Sequence, residues 1–521
     1  MTRNAELAGA TLGHLIALGV RDFVVCAGAR NAPLVTSLLA ASESKGLRVW
    51  HHFDERTASF FGLGLARSRD EPVVVLTTSG TAAAELLPAA IEGYYEGVPL
   101  ILVTADRPEW YRGSGAPQSI EQKGLYGIYA PLAIDVQRRG DLSWVVKWDR
   151  KAPLHLNVCF EEPAPNDCLV DFRTVVVPEP ARRIPGQDEV DRLERFVSSR
   201  QRMVVIVGAL PKSWRESVEL FLNELGAPVW AEAISGLRES EVLAPQLIRQ
   251  EHQVGVIRPD SVLRIGGIPS LRYWRDLETL RGIEVLSVTR QPFPGLGRDS
   301  ELLLCDQFPL TRNVTQPGWV DDVTLFGRGN LDAFLDQHPK SEPAMMRALA
   351  DAIPSQAMVF LGNSLPIREW NLSASVEPGH PLCFANRGAN GIDGEVATFL
   401  GMSEGNAEAW GIFGDLTALY DLNAPAVLPQ LDDCERRIVV MNNGGGRIFS
   451  RLPSMAGLSP EEKAVTENHH RQRFDSWASM WGMDYVSWRA GKPVPEISGK
   501  NVLIEVLLEN GPTESFWKEM R

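Results

Sequence analysis

Short apolar runs rich in β-branched residues alternate along this chain with longer stretches of helical periodicity, and no other feature restricts the fold as much. The first runs are "RDFVVCAG", "VVVLTTSG" and "VPLILVTAD". Residues apolar at consecutive positions belong to strands covered on both faces, so the pattern predicts a parallel sheet with helices packed against it. The rhythm returns in "MVVIVGAL", "SVLRIGG" and "IEVLSVTR", and again in "AMVFLGNS", "AWGIFGDL", "RRIVVMNN" and "NVLIEVLL". At 521 residues the chain exceeds a single core, a domain commonly holding roughly 150 residues. The expectation is an α/β protein of three domains, each with a mainly parallel sheet covered by helices. Pro, Arg and polar residues cluster in "VVVPEPARRIPGQDE" (175–189) and again over 313–345, through "NVTQPGWVDD" and "DQHPKSEPAMM". Linkers there divide the chain into 1–180, 185–340 and 346–521.

A hydrophobic fraction of 44% with 23% charged residues is ordinary for a globular chain. The net charge of −14, with no basic stripe, argues against a nucleic-acid partner. Cys26, Cys159, Cys168, Cys305, Cys383 and Cys434 are scattered without a CxxC. They indicate neither a disulfide framework nor a zinc site, and a reduced cytoplasm fits them best. The N-terminal "MTRNAELAGATLGHLIALGV" reads as an amphipathic helix rather than a signal peptide. No apolar run approaches the ~20 residues needed to span a bilayer. "GLGLAR" (62–67) partly imitates a dinucleotide fingerprint but lacks its third Gly and lies in a helical pattern, which points to helix packing. The adjacent pairs His51–His52 and His469–His470 have no metal-ligand spacing.

Ligands of parallel α/β sheets bind beyond the carboxyl ends of the strands. The polar and Gly-rich signatures sit there: "CAGARNAP", "TTSGTAA", "TADRPEW", "GNSLPIR", "FGDLTALYD" and "NNGGGRIF". Such clustering marks an enzyme rather than a scaffold. Gly414 admits a ligand close to the backbone, and Asp415 offers a carboxylate to a hard cation such as Mg²⁺. Asn442 or Asn443 can add a carbonyl oxygen, and the glycines that follow expose main-chain oxygens. Mg²⁺ prefers octahedral oxygen ligation and bridges to phosphates, so this half-cage suits a metal-diphosphate. The helix opening after Asp415 adds amides that favour an anion.

Gly-Asp followed about 25 residues later by Asn-Asn resembles the metal-diphosphate motif of thiamine diphosphate enzymes. "CAGARNAPL", "FDERTASFFGLGLA", "TSGTAAAELLPAAIE", "VPLILVTADRPEW", "GAPQSIEQKGLYG", "GNSLPIREW", "ANRGANGIDG", "GDLTALYDLNA" and "GGGRIFSRLP" together resemble the SEPHCHC synthases of menaquinone biosynthesis. The matches run in order through the first and third segments and are weak in the middle. This resemblance implies a thiamine diphosphate-binding fold with pyrimidine-binding, central and diphosphate-binding domains. It also implies a homodimer, or dimer of dimers, in which the cofactor lies between the first domain of one chain and the third of another. The implied reaction is decarboxylation of 2-oxoglutarate and conjugate addition of the succinyl unit to isochorismate, with thiamine diphosphate and Mg²⁺, or Mn²⁺ in its place.

Carried onto this sequence, the resemblance makes Glu55 the carboxyl partner of the cofactor's aminopyrimidine and Ile392 the apolar prop beneath it. Gly414, Asp415, Leu416 and Thr417 would line the diphosphate, with Asp415, Asn443 and the backbone oxygen of Gly445 on the metal. Counting back from "IF" selects Asn443, while the family's usual interval from the Asp selects Asn442. Ser364, Arg368 and Arg387 would act on the 2-oxoglutarate-derived part. Arg30, Arg107, Gln118 and Arg272 would hold isochorismate, and Ile448, Phe449 and Leu452 would form an apolar wall. Both substrates are dicarboxylates, for which Arg supplies a bidentate fork.

The sequence departs from the family pattern at "CAGAR", where Ala29 replaces a serine, at Tyr273, where a second basic residue is common, and at Arg451, where leucine is more usual. Arg451 is a candidate substitute for the missing basic residue. These changes fall on the acceptor or regulatory side, so a thiamine-dependent 2-oxo acid decarboxylase or carboligase with another acceptor is the alternative, and a catalytically silent binding subunit is a second.

Overall fold

The computed structural model describes residues 2–169, 175–311, 314–315, 329–376, 381–452, 455 and 457–520. Three sheets are built from seventeen strands among these residues. The first has the order β2-β1-β3-β4-β6-β5, from β1 (Asp22–Val25), β2 (Arg48–His51), β3 (Val73–Thr77), β4 (Leu100–Asp106), β5 (Leu132–Val136) and β6 (Leu154–Cys159). The second, β11-β10-β9-β7-β8, contains β7 (Met203–Val207), β8 (Val229–Ala231), β9 (Ser261–Ile265), β10 (Glu284–Thr289) and β11 (Glu301–Leu304). The third, β13-β12-β14-β15-β17-β16, contains β12 (Met358–Leu361), β13 (Leu382–Phe384), β14 (Glu408–Gly414), β15 (Glu435–Asn442), β16 (Asp484–Arg489) and β17 (Asn501–Leu507).

Every described pairing between these strands is parallel. The expected α/β class with three helix-covered parallel sheets is therefore what the chain adopts. All ten apolar runs singled out in the sequence lie in strands. Burial explains why they were readable: every residue of β3, β4 and β7 is buried, so these runs are apolar at consecutive positions rather than alternating.

The chain forms two compact units, one of residues 1–181, 388–405 and 420–433, the other of 182–387, 406–419 and 434–521. The first sheet lies in the first unit, the other two sheets in the second. The segment 175–186 has no regular element, and the helix Gln187–Ser198 follows it. Much of the second linker, placed over 313–345, lies outside the described residues.

In the first unit, the helix Glu55–Arg69 packs against the helix Glu395–Ser403 through glycines. A Cβ on Gly64 would fall 2.1 Å from the carbonyl oxygen of Thr398, and one on Gly401 2.3 Å from that of Phe61. The "GLGLAR" stretch is thus a helix-packing surface, as its periodicity indicated.

In the second unit, the turn Ala233–Ser235 following β8 joins the core of the third sheet, where Ala233 and Ile234 cluster with Trp370 and Ile412. Arg238 secures that junction by donating to the carbonyls of Asn371 at 3.2 Å, Ala374 at 2.8 Å and Ser375 at 2.9 Å. All six cysteines are free thiols. No helix among the described residues is long and apolar enough to cross a membrane.

Candidate active site

Gly414 pairs with Met441 where β14 and β15 run side by side, which sets Asp415 level with Asn442 and the turn beyond it. The buried Asp415 carboxylate organises that turn. Its Oδ2 accepts the main-chain N–H groups of Asn443 at 3.1 Å, Gly444 at 2.8 Å and Gly445 at 3.0 Å. Its Oδ1 accepts only the N–H of Leu416, at 2.7 Å, among the described contacts, and retains lone-pair capacity. Gly445 has φ +139°, and a Cβ there would meet the carbonyl oxygen of Glu467 at 2.5 Å, so the turn requires glycine. The Gly445 carbonyl accepts the N–H of Arg447 at 2.9 Å.

The two Asn side chains differ in what they have left to offer. Asn442 donates to Glu505 Oε1 at 2.6 Å and to the Gln472 carbonyl at 3.0 Å, while its own oxygen accepts from Gly444 at 3.3 Å. Asn443 donates to both carboxylate oxygens of Glu342, at 3.1 and 3.2 Å, and its Oδ1 is buried with no hydrogen-bond donor. A buried acceptor without a donor costs about 1–3 kcal/mol unless something else satisfies it. A cation would do so. Beside it, a Cβ on Gly414 would meet nothing nearer than Thr417 Oγ1 at 4.0 Å, leaving room against the backbone. Thr417 is buried and Leu416 half-buried in the first turn after the strand. One carboxylate, one free amide oxygen and main-chain carbonyls form a donor set suited to Mg²⁺. Among the described residues no cluster of three or more His, Cys, Asp or Glu forms a metal site of the zinc kind.

Sequence reasoning missed two neighbours of this turn. His470 Nε2 lies 3.3 Å from Asp415 Oδ2. Glu342, 101 residues before Asn443 in sequence, starts the helix Glu342–Ala352 and is buried. Arg451 reaches the same place, with Nη1 3.0 Å from Glu369 Oε1, Nη2 3.7 Å from Glu342 Oε2, and its guanidinium 4.5 Å from the centre of the Trp517 ring. Burial pushes the Glu342 and Glu369 carboxyls up, and Arg451 pulls both the other way. Arg451, the candidate for a substrate-binding base, thus pairs here with two buried carboxylates. Ile448, Phe449 and Leu452 are half-buried along the same loop.

The fold also brings Ser364, Arg368 and Arg387 together. Ser364, at the end of β12, has φ +70°, which is uncommon for a residue with a Cβ and is a strain typical of functional positions. Its carbonyl accepts from Arg368 Nη1 at 2.5 Å. Arg387 is buried beyond β13 and donates to Asn363 Oδ1 at 2.7 Å, while Asn363 Nδ2 donates to the Asn386 carbonyl at 2.8 Å. Burial and the charge of Arg387 both push Arg368 down. Two cations that act on each other in this way are suited to a carboxylate. Glu232, fully buried after β8, faces them. It accepts from Ser270 N at 2.6 Å and Ser270 Oγ at 2.5 Å, and burial pushes it up while Arg387 and Arg368 pull it down.

At the carboxyl end of the first sheet, Glu55 is half-buried at the start of its helix, capped by Asp54, which accepts from Thr57 N at 3.1 Å. Burial pushes the Glu55 carboxyl up, with Asp54 and Glu85 adding to the effect. Ile392, in the same compact unit, is half-buried just before the helix Glu395–Ser403. Arg30 is buried and donates to the Glu161 carbonyl and to Glu162 Oε2, each at 2.8 Å. Arg107 lies over the Tyr111 ring at 4.9 Å and donates to the Pro117 carbonyl at 3.1 Å, next to exposed Gln118. Arg272, in the second unit, is exposed and pairs with Asp276 at 3.0 Å.

Residues 6–125 match the family model for the thiamine pyrophosphate enzyme N-terminal TPP binding domain. With the three parallel sheets, this makes the protein an enzyme of the thiamine pyrophosphate fold. The chain is 40% identical to the 2-succinyl-5-enolpyruvyl-6-hydroxy-3-cyclohexene-1-carboxylate synthase of Bdellovibrio bacteriovorus, covering 99% of this chain and 98% of that one. Identity to the synthase of the same name from Akkermansia muciniphila is 39%, over 99% and 98% of the two chains. For that of Chloroflexus aurantiacus it is 33%, over 90% and 87%. The chain belongs to the SEPHCHC synthase family.

Proposed function

We propose that the protein decarboxylates 2-oxoglutarate and adds the succinyl unit to isochorismate, using thiamine diphosphate and Mg²⁺, to give SEPHCHC for menaquinone biosynthesis in the cytoplasm. The observation that carries this reading is the placement of Arg368, Arg387 and Ser364 at the end of the sheet that also holds the Asp415–Asn443 turn. Bound thiamine diphosphate supplies a nucleophilic carbon and an electron sink for loss of CO₂. Asp415, Asn443 and the Gly445 carbonyl would hold the metal, with Gly414, Leu416 and Thr417 along the diphosphate. Glu55, its carboxyl raised by burial, would hold the proton shared with the aminopyrimidine, and Ile392 would support the ring from its apolar side.

Arg368 and Arg387 would orient the distal carboxylate of 2-oxoglutarate, so that the bond to the departing CO₂ is presented to the cofactor. Arg30, Arg107, Gln118 and Arg272 are assigned to isochorismate, and Ile448, Phe449 and Leu452 to excluding water. The working form is proposed to be a homodimer or dimer of dimers, which light scattering on the purified protein measures directly.

One set of observations favours a second reading, in which the acceptor is not isochorismate. Tyr273 is buried in an apolar cluster of the second sheet, and Arg272 forms an exposed ion pair with Asp276. Ala29 offers no hydroxyl. The deciding assay follows CO₂ release and isochorismate loss together, with and without isochorismate. Disappearance of isochorismate in step with CO₂ supports the synthase. Decarboxylation with isochorismate untouched leaves the cofactor chemistry standing and transfers the acceptor to another compound.

A further inference from the structure

An amide side chain carries a donor and an acceptor of similar size, so its usefulness to a cation depends on which end faces the ion. Asn443 has its Nδ2 within 3.1 and 3.2 Å of the two oxygens of Glu342, and its Oδ1 buried without a donor. Both oxygens of the Glu342 carboxyl accept from this nitrogen. The carboxyl therefore holds the nitrogen of Asn443 on its own side and turns the oxygen away. We infer that Glu342 is a positioning residue that presents the Asn443 oxygen to the Mg²⁺ of the diphosphate site. The inference rests on the reading of Asp415 and Asn443 as metal ligands.

Glu342 is itself fixed from several directions. It is 2% exposed, its N–H donates to Thr513 Oγ1 at 3.0 Å, and Arg451 Nη2 stands 3.7 Å from Oε2. It follows the N-cap Ser341, whose hydroxyl accepts from Ala344 N at 3.3 Å. The backbone at this helix start is thus anchored independently of the carboxylate, which is left to Asn443 and Arg451. Second-sphere partners of this kind typically change metal affinity roughly 10–100-fold when altered.

In Glu342→Gln the second oxygen becomes an NH₂ group, which cannot accept from Asn443, and the two amide orientations become comparable. The test is a calorimetric Mg²⁺ titration of the full-length protein saturated with thiamine diphosphate, with no substrate present. Wild type, Asn443→Ala, Glu342→Gln and Glu342→Asp are compared, and circular dichroism confirms folding of each. Expected is a roughly 10–100-fold weaker Mg²⁺ affinity for Glu342→Gln, with Glu342→Asp recovering part of it because it keeps a carboxyl. A merely structural role would not distinguish Gln from Asp in this way. If Asn443→Ala weakens Mg²⁺ binding while Glu342→Gln stays within twofold of wild type, the positioning role is overturned and the ligand assignment stands. If Asn443→Ala itself leaves the affinity unchanged, the ligand assignment fails and takes the inference with it. Should Glu342→Gln fail to fold, Glu342→Ala decides, since an Mg²⁺ affinity within twofold of wild type with the carboxylate removed also overturns the role.

Discussion

Arg56 pairs with the buried Asp421 carboxylate at 3.3 Å, fastening the helix that begins at Glu55 to a carboxylate that also accepts the main-chain N–H groups of Gly394 and Val396, each at 2.9 Å. Burial pushes Asp421 up to about 6 despite these bonds. A raised carboxyl binds its proton more tightly in the folded chain than in the unfolded one. Its contribution is therefore fully present below about pH 4 and is lost as pH rises to about 6, a change on the order of 3 kcal/mol. Asp421→Asn removes this titration. The difference in unfolding midpoint, wild type minus variant, is expected to fall between pH 4 and 6.5 and to level off above. A pH-independent difference would contradict the assigned shift.

The crossing at Gly64 predicts a second stability effect. A Cβ there meets backbone, the Thr398 carbonyl at 2.1 Å, rather than a side chain that can swing aside. Overpacking commonly costs 1–3 kcal/mol, and Gly64→Ala is expected at or above about 3 kcal/mol. Thermal melts of the variant should show a clearly lower midpoint, whereas alanine at Gly46, where a Cβ meets nothing within 4 Å, should pay only for its φ of +61°.

Glu55→Gln should leave the fold and the binding of thiamine diphosphate nearly unchanged while lowering kcat about 100-fold or more, the size of effect expected when a positioned proton-transfer group is neutralised. Steady-state CO₂ release gives the rate, and quenching of tryptophan fluorescence on cofactor binding gives the affinity. An unimpaired rate would remove Glu55 from the mechanism.

What the sequence made legible follows from local physics. The strand ends carrying Asp415, Ser364 and Arg107 were readable because fully buried strands are apolar at consecutive positions and stop abruptly at polar or Gly residues. Among the strands that went unread, β8 and β13 have three residues, too few for a pattern, and in β6 His155 and Asn157 interrupt the apolar positions. Glu342 and Asp421 were invisible for another reason: nothing near them in sequence says that a distant amide or a helix start will need a carboxylate. The choice between Asn442 and Asn443 stayed open in sequence because both are polar at the same strand end. Hydrogen-bond supply is what separates them, Asn442 being engaged at both ends of its amide while Asn443 keeps an unpaired oxygen.

Arg387 offers a test of carboxylate recognition. It is buried, and one of its nitrogens is already held by Asn363 at 2.7 Å, so the fork is aimed rather than free to rotate. Arg387→Lys keeps the charge and loses the fork, and hydrogen bonds to a charged group are worth about 1.5–3 kcal/mol. KM for 2-oxoglutarate is expected to rise roughly 10–100-fold with Mg²⁺ and thiamine diphosphate affinities unchanged. An unaltered KM would place the substrate carboxylate elsewhere.

Arg451 separates stability from substrate binding. Its guanidinium lies against Glu369 at 3.0 Å and Glu342 at 3.7 Å, with Trp517 across its face. In Arg451→Leu two buried carboxylates lose their shared cation, and removing one member of a buried ion pair costs about 3–5 kcal/mol. The Arg451 side chain is 19% exposed, so water recovers part of that loss and the lower end of the range is expected. The unfolding midpoint should fall, while KM for the acceptor moves less than twofold, because the guanidinium is already engaged before any acceptor arrives. A variant that melts like wild type but needs several times more acceptor would reverse the assignment, making Arg451 a substrate-binding residue and its contacts with Glu342 and Glu369 a resting arrangement that the acceptor displaces.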